Sequence, residues 1–334
     1  MRLFITGHRG FIGTVLCEEL DKGGHTLTGF DQHSSARSLS FPSYQGNILD
    51  KEALRRALSE EADCIIHLAA EHKDEGPTQE DYFQVNQVGT RNLLEIASEK
   101  GVKRFFFFSS VAVYGHQVGA QEETPPAPVN AYGASKLAAE EEIRRWVGEQ
   151  RDRQAIILRP TVVFGPRNQA NIFRLMKQVA QGRFVMVGKG DNIKSVTYVG
   201  NTVQAALFLL DHFGSPFEIY NQVDYPQLTI SEFVEIVERY AQKKRFPFRI
   251  PLKLALAGSW LWSRWSTLTG HPPTITPERL TKFATVTHFK ADKLRQLGYV
   301  QPFSLEEGIR ETVAWNMNRG WQITNDSVES EDFA

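Results

Sequence analysis

Residues 6–13 read TGHRGFIG. Three glycines stand at G-x-x-G-x-x-G spacing. The apolar run RLFITG (2–7) precedes them, and FIGTVLCEELDKGG (11–24) follows, with Phe11, Val15, Leu16 and Leu20 on one helical side. Glycines alone are a weak signal, but between a strand and a helix they form a phosphate-binding turn. Gly7 permits the tight turn, Gly10 lets backbone approach a pyrophosphate, and Gly13 lets the helix pack closely on the strand. The amides at the helix start, near Gly10, Phe11 and Ile12, then face the phosphates.

The next strand, HTLTGFD (25–31), closes on Asp31. A carboxylate there accepts hydrogen bonds from the adenosine ribose and repels a 2′-phosphate, which favours NAD over NADP. Arg37, six residues on, is a cation that would offset that preference.

Further strands follow at DCIIHLAA (63–70), VKRFFFFSS (102–110) and QAIILRPTVVFG (154–165), the last with its exit loop. Between them lie helical stretches at 51–61, with Asp50 as N-cap, at 82–101 and at 131–150. Four consecutive Phe cannot alternate faces, so that strand is covered on both sides, as parallel strands are. The alternation predicts an α/β fold, a doubly wound parallel sheet with helices on both faces.

After residue 165 the pattern loosens into a smaller, interleaved C-terminal lobe. The expected organisation is a nucleotide-binding domain over 1–165, with a further sheet and helix contribution from about 196–222. A substrate lobe takes 166–195 and 223–321, and an acidic tail over 322–334 is expected to be disordered.

A net charge of −1 over 334 residues, with no dense Lys/Arg block, argues against a nucleic-acid partner. Cys17 and Cys64 both sit in apolar patterns, so buried hydrophobes in a reducing cytoplasm are expected, with no disulfide and no metal site. The first apolar run is only a strand's length, so no secretory signal is read there. PLKLALAGSWLWSRW (251–265), interrupted by Lys253 and Arg264, is too short to span a bilayer.

Tyr132 and Lys136 form Y-x-x-x-K within AYGASK. Four apart on a helix they share a face, and an ammonium beside a phenol lowers its pKa. Such a Tyr can take or give a hydroxyl proton while hydride moves to or from a nicotinamide. SSVAVYG (109–115) places Ser109 and Ser110 at the carboxyl end of the sheet, where ligands of α/β folds bind.

TGHRGFIG, Asp31, HLAA (67–70), Asn86, SSVAVYG, YGASK and LRPTVVFGP (158–166) occur in this order. Together they resemble the extended short-chain dehydrogenase/reductase family, in its NAD-dependent epimerase/dehydratase group, over roughly residues 1–320. The resemblance implies a Rossmann-type domain and Ser110, Tyr132 and Lys136 as the catalytic triad. Lys136 would hold the nicotinamide ribose and tune Tyr132. It also implies a cofactor site lined by Asn47, Ile48, Leu68, Ala69, Ala70, Asn86, Ser109 and Pro160. Asn47 replaces the Asp of the family's G-D-x-x-D.

The group's dehydratases place Asp-Glu directly after the hydroxyl residue. Here those positions are Val111 and Ala112, which carry no proton. Epimerisation or simple alcohol/ketone redox remains, the latter like the family's hydroxysteroid and ketone-reducing branches. Asn171 is expected at the substrate. Lys194 falls where the family's phosphate-binding Arg lies, and Arg279 falls near a second arginine that reaches the diphosphate. Two cations flanking a pocket suit a diphosphate, or both are solvated surface charges. RPTVVFGP lacks the Asn common before Gly-Pro in UDP-sugar epimerases. Residues 171–195 and 219–234 look similar to epimerases of envelope polysaccharide pathways, some acting on lipid-diphosphate-linked sugars. Residues 250–270, with Trp260, Trp262 and Trp265, then either rest on a membrane surface or pack into the second lobe or a partner subunit. A homodimer is the family's expectation.

Overall fold

The computed structural model describes residues 1–34, 39–73, 76–244, 246, 248–269 and 277–322, leaving aside the side chains of 261, 263–269, 278, 279 and 282. The strands are β1 (Arg2–Thr6), β2 (Thr26–Asp31), β3 (Ser43–Gln45), β4 (Cys64–His67), β5 (Arg104–Phe108), β6 (Gln154–Pro160), β7 (Val162–Phe164), β8 (Met186–Val187), β9 (Val196–Tyr198), β10 (Phe217–Gln222) and β11 (Arg249–Ile250). The helices are α1 (Phe11–Lys22), α2 (Lys51–Ala57), α3 (Gln79–Phe83), α4 (Gly89–Glu99), α5 (Ala131–Glu149), α6 (Asn171–Ala180), α7 (Val199–Leu210), α8 (Ile230–Ala241), α9 (Leu252–Thr269), α10 (Pro277–Ala284), α11 (Asp292–Gln296) and α12 (Leu305–Asn318).

Seven strands form one sheet in the order β10-β6-β5-β4-β1-β2-β3, and every pairing is parallel. Its two faces carry separate cores. Phe106 and Phe108 of β5 pack with Leu16 and Leu20 of α1 and Val203 of α7. Phe105 and Phe107 pack with Leu93 of α4 and Ala139 and Ile143 of α5. The Phe run is therefore buried on both sides, and the doubly wound parallel sheet is the observed architecture.

Three elements depart from the sequence reading. The helix over 82–101 is divided: α3 ends at Phe83 and a π-helical turn covers Gln84–Val88 before α4. The side chain of Asn86, in that turn, bonds outside the helix, as π-turns at functional sites often allow. The stretch 154–165, expected as a strand and its exit loop, holds a second strand in place of that loop. β6 stays in the main sheet, while β7 pairs with β9 in a two-stranded sheet, as β8 does with β11. The helix from Lys51 stops at Ala57, because Leu58 turns extended and buries its side chain. Asp50 caps that helix, its Oδ1 accepting the Glu52 and Ala53 N–H groups at 3.0 Å.

Cys17 and Cys64 are buried free thiols, and burial pushes the Cys17 thiol up to about 12. Among the described residues no helix is long and apolar enough to cross a membrane. Of the acidic tail, residues 323–334 lie outside the described residues, as does Arg37.

Candidate active site

The glycine turn closes against the exit of β4. Gly7 has φ +72° and donates its N–H to Phe30 O at 2.9 Å. A Cβ on Gly7 would lie 2.6 Å from Ala69 N. A Cβ on Gly13 would lie 2.2 Å from Gly7 O and within 3 Å of the His8 backbone. Neither position has room for a side chain, so the turn presents bare backbone. Gly10 caps α1 in extended conformation without a side-chain bond, which leaves the first amides of α1 to a ligand.

Asp31 ends β2 beside this turn. Its carboxylate accepts the Arg9 and His33 N–H groups, each at 3.0 Å. Arg9 donates Nη2 to Ser43 Oγ on β3 at 3.0 Å. Leu68, Ala69 and Ala70 follow β4, with the Leu68 N–H bonded to Thr6 O. Ile48 is buried against α4, and Asn47 is exposed with its Oδ1 accepting the Leu49 N–H at 2.9 Å. Pro160 ends β6, paired with Gln222. A bare-backbone turn, an open helix start and an acidic strand end fit a dinucleotide with free ribose hydroxyls. Gly13→Ala is expected to yield protein without bound nucleotide, measured as nucleotide released on denaturation. Wild-type content in that variant overturns the cradle.

Ser110 follows β5, and its Oγ accepts the Ala112 N–H at 3.1 Å, capping the turn Val111–Tyr114. Asn130 caps α5 by accepting the Gly133 N–H at 2.8 Å. A Cβ on Gly133 would stand 2.5 Å from Ala112 O, so the start of α5 sits against the Ser110 turn. Tyr132 lies in that first turn, its ring edge-on to Tyr82 at 6.2 Å. Lys136, one turn on, is buried with Nζ 4.1 Å from the Phe107 ring centre. Burial pushes its ammonium down to about 7, against the Glu140 carboxylate that favours the charge. The fold thus brings Ser110, Tyr132 and Lys136 to one end of the sheet.

Asn86 clamps the chain after HLAA. Its Oδ1 accepts the Glu71 N–H at 2.8 Å, and its Nδ2 donates to Glu71 O at 3.0 Å and Ser135 Oγ at 2.9 Å. His67 lies between Thr6 Oγ1 at 2.6 Å and Thr90 Oγ1 at 3.0 Å. Burial, with the Lys136 charge nearby, holds its pKa well below the ordinary value, so it stays neutral.

Sequence reasoning missed the polar chain beneath these residues. Ser109 Oγ donates to Glu140, and Arg159 donates to both Glu140 oxygens, Nε at 2.9 Å. Arg159 Nη1 also donates to Tyr114 O–H at 2.6 Å, which donates to Asn221 Oδ1 at 2.9 Å. Asn221 Nδ2 reaches Lys290 O at 3.0 Å. The available signals were an Arg inside the apolar run QAIILRP and a Glu four residues beyond Lys136.

Between β8 and β9, the Lys194 N–H donates to Leu228 O at 3.3 Å and its backbone bridges Thr287. Burial pushes its ammonium down to about 8. Arg279 lies on α10, which ends three residues before Thr287; its side chain is outside the described residues, as is that of Trp265. Asn171 opens α6 and is exposed. No group of three or more His, Cys, Asp or Glu among the described residues could hold a metal ion.

A parallel α/β sheet with a glycine turn, an acidic β2 end and a Tyr/Lys helix defines a nicotinamide-dependent enzyme of the short-chain dehydrogenase type. The chain belongs to the NAD dependent epimerase/dehydratase family, whose profile matches residues 3–221. It is 37% identical over 317 residues, 94% of each chain, to the N-acetyl-alpha-D-glucosaminyl-diphospho-ditrans,octacis-undecaprenol 4-epimerase of Escherichia coli O157:H7. It is 26% identical, over 92% of this chain and 89% of the other, to the decarboxylating sterol-4-alpha-carboxylate 3-dehydrogenase of Mus musculus. In fold it is similar to the UDP-glucuronic acid 4-epimerase of Bacillus cereus in complex with UDP-glucuronic acid and NAD. That match has a TM-score of 0.76 at 21% identity, covering 96% of this chain and 100% of the other.

Proposed function

We propose that the protein is an NAD-dependent 4-epimerase of an N-acetylhexosamine carried on a polyprenyl diphosphate. The observation that carries this reading is the 37% identity, over 94% of both chains, to an epimerase of such a substrate. The residues after Ser110 support it, because Val111 and Ala112 offer neither the acid nor the base that dehydration needs.

Bound NAD would supply a reversible hydride acceptor at the sugar carbon. Gly7, Gly10, Phe11, Ile12, Gly13, Asp31, Asn47, Ile48, Leu68, Ala69, Ala70, Asn86, Ser109 and Pro160 are assigned to its site. Tyr132, as phenolate, takes the proton of the sugar hydroxyl while Ser110 Oγ holds that oxygen. Once the keto sugar has turned over, so that hydride would return to the same carbon from its other face, Tyr132 gives the proton back to that oxygen. When charged, Lys136 would favour the Tyr132 phenolate. Lys194, Arg279 and Asn171 are assigned to the substrate. A diphosphate beside Lys194 would raise its pKa again from about 8 and restore full charge.

Cofactor stoichiometry tests this. Purified protein, with no NAD added, should interconvert the two epimers on a polyprenyl diphosphate without net NADH. The 26% identity to a sterol dehydrogenase carries the other reading, a net dehydrogenase of a hydrophobic alcohol. Cofactor-free protein that forms one NADH per alcohol oxidised overturns the epimerase assignment. We assign it to the cytoplasm as a homodimer through α5 and the helix before it, at the membrane surface where a lipid-linked substrate is met. Sedimentation equilibrium tests the dimer.

A further inference from the structure

The exposed side of α9 and the chain leading into it break the rule that a surface helix turns polar residues outward. Phe246, Phe248, Ile250, Leu254, Trp260 and Trp262 are all large apolar residues between 39% and 73% exposed. Along the first turns of α9 the exposed positions are Lys253, Leu254, Ala257 and Gly258, whereas Ser259 is buried. The described first half of the helix therefore leaves apolar residues outward as well as inward, and α10 packs against α9.

Charge says what covers that side. Arg239 pairs with Glu306, but from Gln242 to Pro277 the chain has six Lys or Arg and no Asp or Glu, although it carries 39 acidic residues overall. Lys243, Lys244, Arg249 and Lys253 are exposed among the aromatic residues. Protein interfaces are depleted of Lys, whereas Trp interleaved with Lys and Arg is the pattern of a membrane–water interface. β11 ties this surface to the substrate lobe: it pairs with β8, and the Gly188 N–H donates to Ile250 O at 2.9 Å. The chain from Gly188 leads directly to Lys194.

We infer that Lys243, Lys244, Phe246, Phe248, Arg249, Lys253, Leu254, Trp260 and Trp262 form a docking surface for an anionic lipid bilayer, with the Trp and Phe side chains in the interface and the Lys and Arg side chains on the head groups. This rests on the lipid-linked substrate reading and adds how the enzyme reaches that substrate. The surface lies on the bilayer and does not span it, because α9 keeps one side on the protein. Salt weakens the contact, because exposed charges are screened within about 10 Å at 0.1 M ionic strength.

Co-sedimentation of the full chain with phosphatidylglycerol-containing vesicles, and with phosphatidylcholine vesicles, tests it. Binding to the first, weak binding to the second and release by salt are expected. Trp260→Ser with Trp262→Ser, and separately Lys243→Glu with Lys253→Glu, should each weaken binding by about tenfold or more. Both variants should keep bound NAD and wild-type turnover of a short-tailed, detergent-free diphosphosugar. Wild-type protein left in the supernatant with anionic vesicles at low salt overturns the inference. So do variants that bind as wild type, or variants that lose a dimer and keep vesicle binding. Vesicle binding with turnover only of nucleotide sugars removes the substrate reading and leaves the docking surface standing. Turnover of the lipid-linked sugar without vesicle binding does the reverse.

Discussion

Tyr132→Phe lowers turnover by about 10²–10⁴-fold while the protein keeps its NAD, the range that one positioned acid/base group contributes. The substitution removes a single oxygen. The ring contact to Tyr82 and the helix cap at Asn130 do not use that oxygen, so fold and cradle persist. Lys136 stays buried over Phe107, so any loss is assigned to proton transfer at residue 132. Single-turnover rates with NAD content measured in parallel make the check. Wild-type turnover in Tyr132→Phe removes Tyr132 from the chemistry under both the epimerase and the dehydrogenase readings.

Glu140→Gln destabilises the protein by about 3–5 kcal/mol, the cost of leaving one partner of a buried ion pair uncompensated. Glu140 and Arg159 are 3% and 2% exposed, so water cannot replace the lost charge. Glu140 also receives Ser109, and Arg159 also bonds Tyr114, so the loss reaches the ends of both β5 and β6. Denaturant unfolding of the single variants measures it. Glu140→Leu combined with Arg159→Met should recover most of the loss, since apolar groups of similar size replace a buried pair at little cost. A single variant within about 0.5 kcal/mol of wild type would mean that the pair does not hold these strands together.

Much of the nucleotide-binding half was legible because its signals are local. G-x-x-G-x-x-G acts within one turn, Tyr132 and Lys136 share a face through helix geometry, and four Phe in a row require two covered faces. The less legible parts depend on partners far along the chain. The π-turn at Gln84–Val88 exists around Asn86, whose bonds go to Glu71 and Ser135. The switch of chain from β6 to β7 depends on β9, which arrives more than thirty residues later. Lys194 and Thr287 meet across ninety-three positions, a pairing that no spacing in the sequence signals.

By itself the sequence determined the class of fold and marked the glycine turn, Tyr132 and Lys136 as candidates, because strand–helix alternation and i, i+4 spacing are short-range physics. Only the tertiary structure decided that the Ser110 turn meets the start of α5 at Gly133. It alone showed that a buried Ser109–Glu140–Arg159–Tyr114 chain lies beneath the site. It alone turned Trp260 and Trp262 outward. The reason is desolvation: which polar group is buried with a partner, and which apolar group is left to solvent, is set only when distant segments pack.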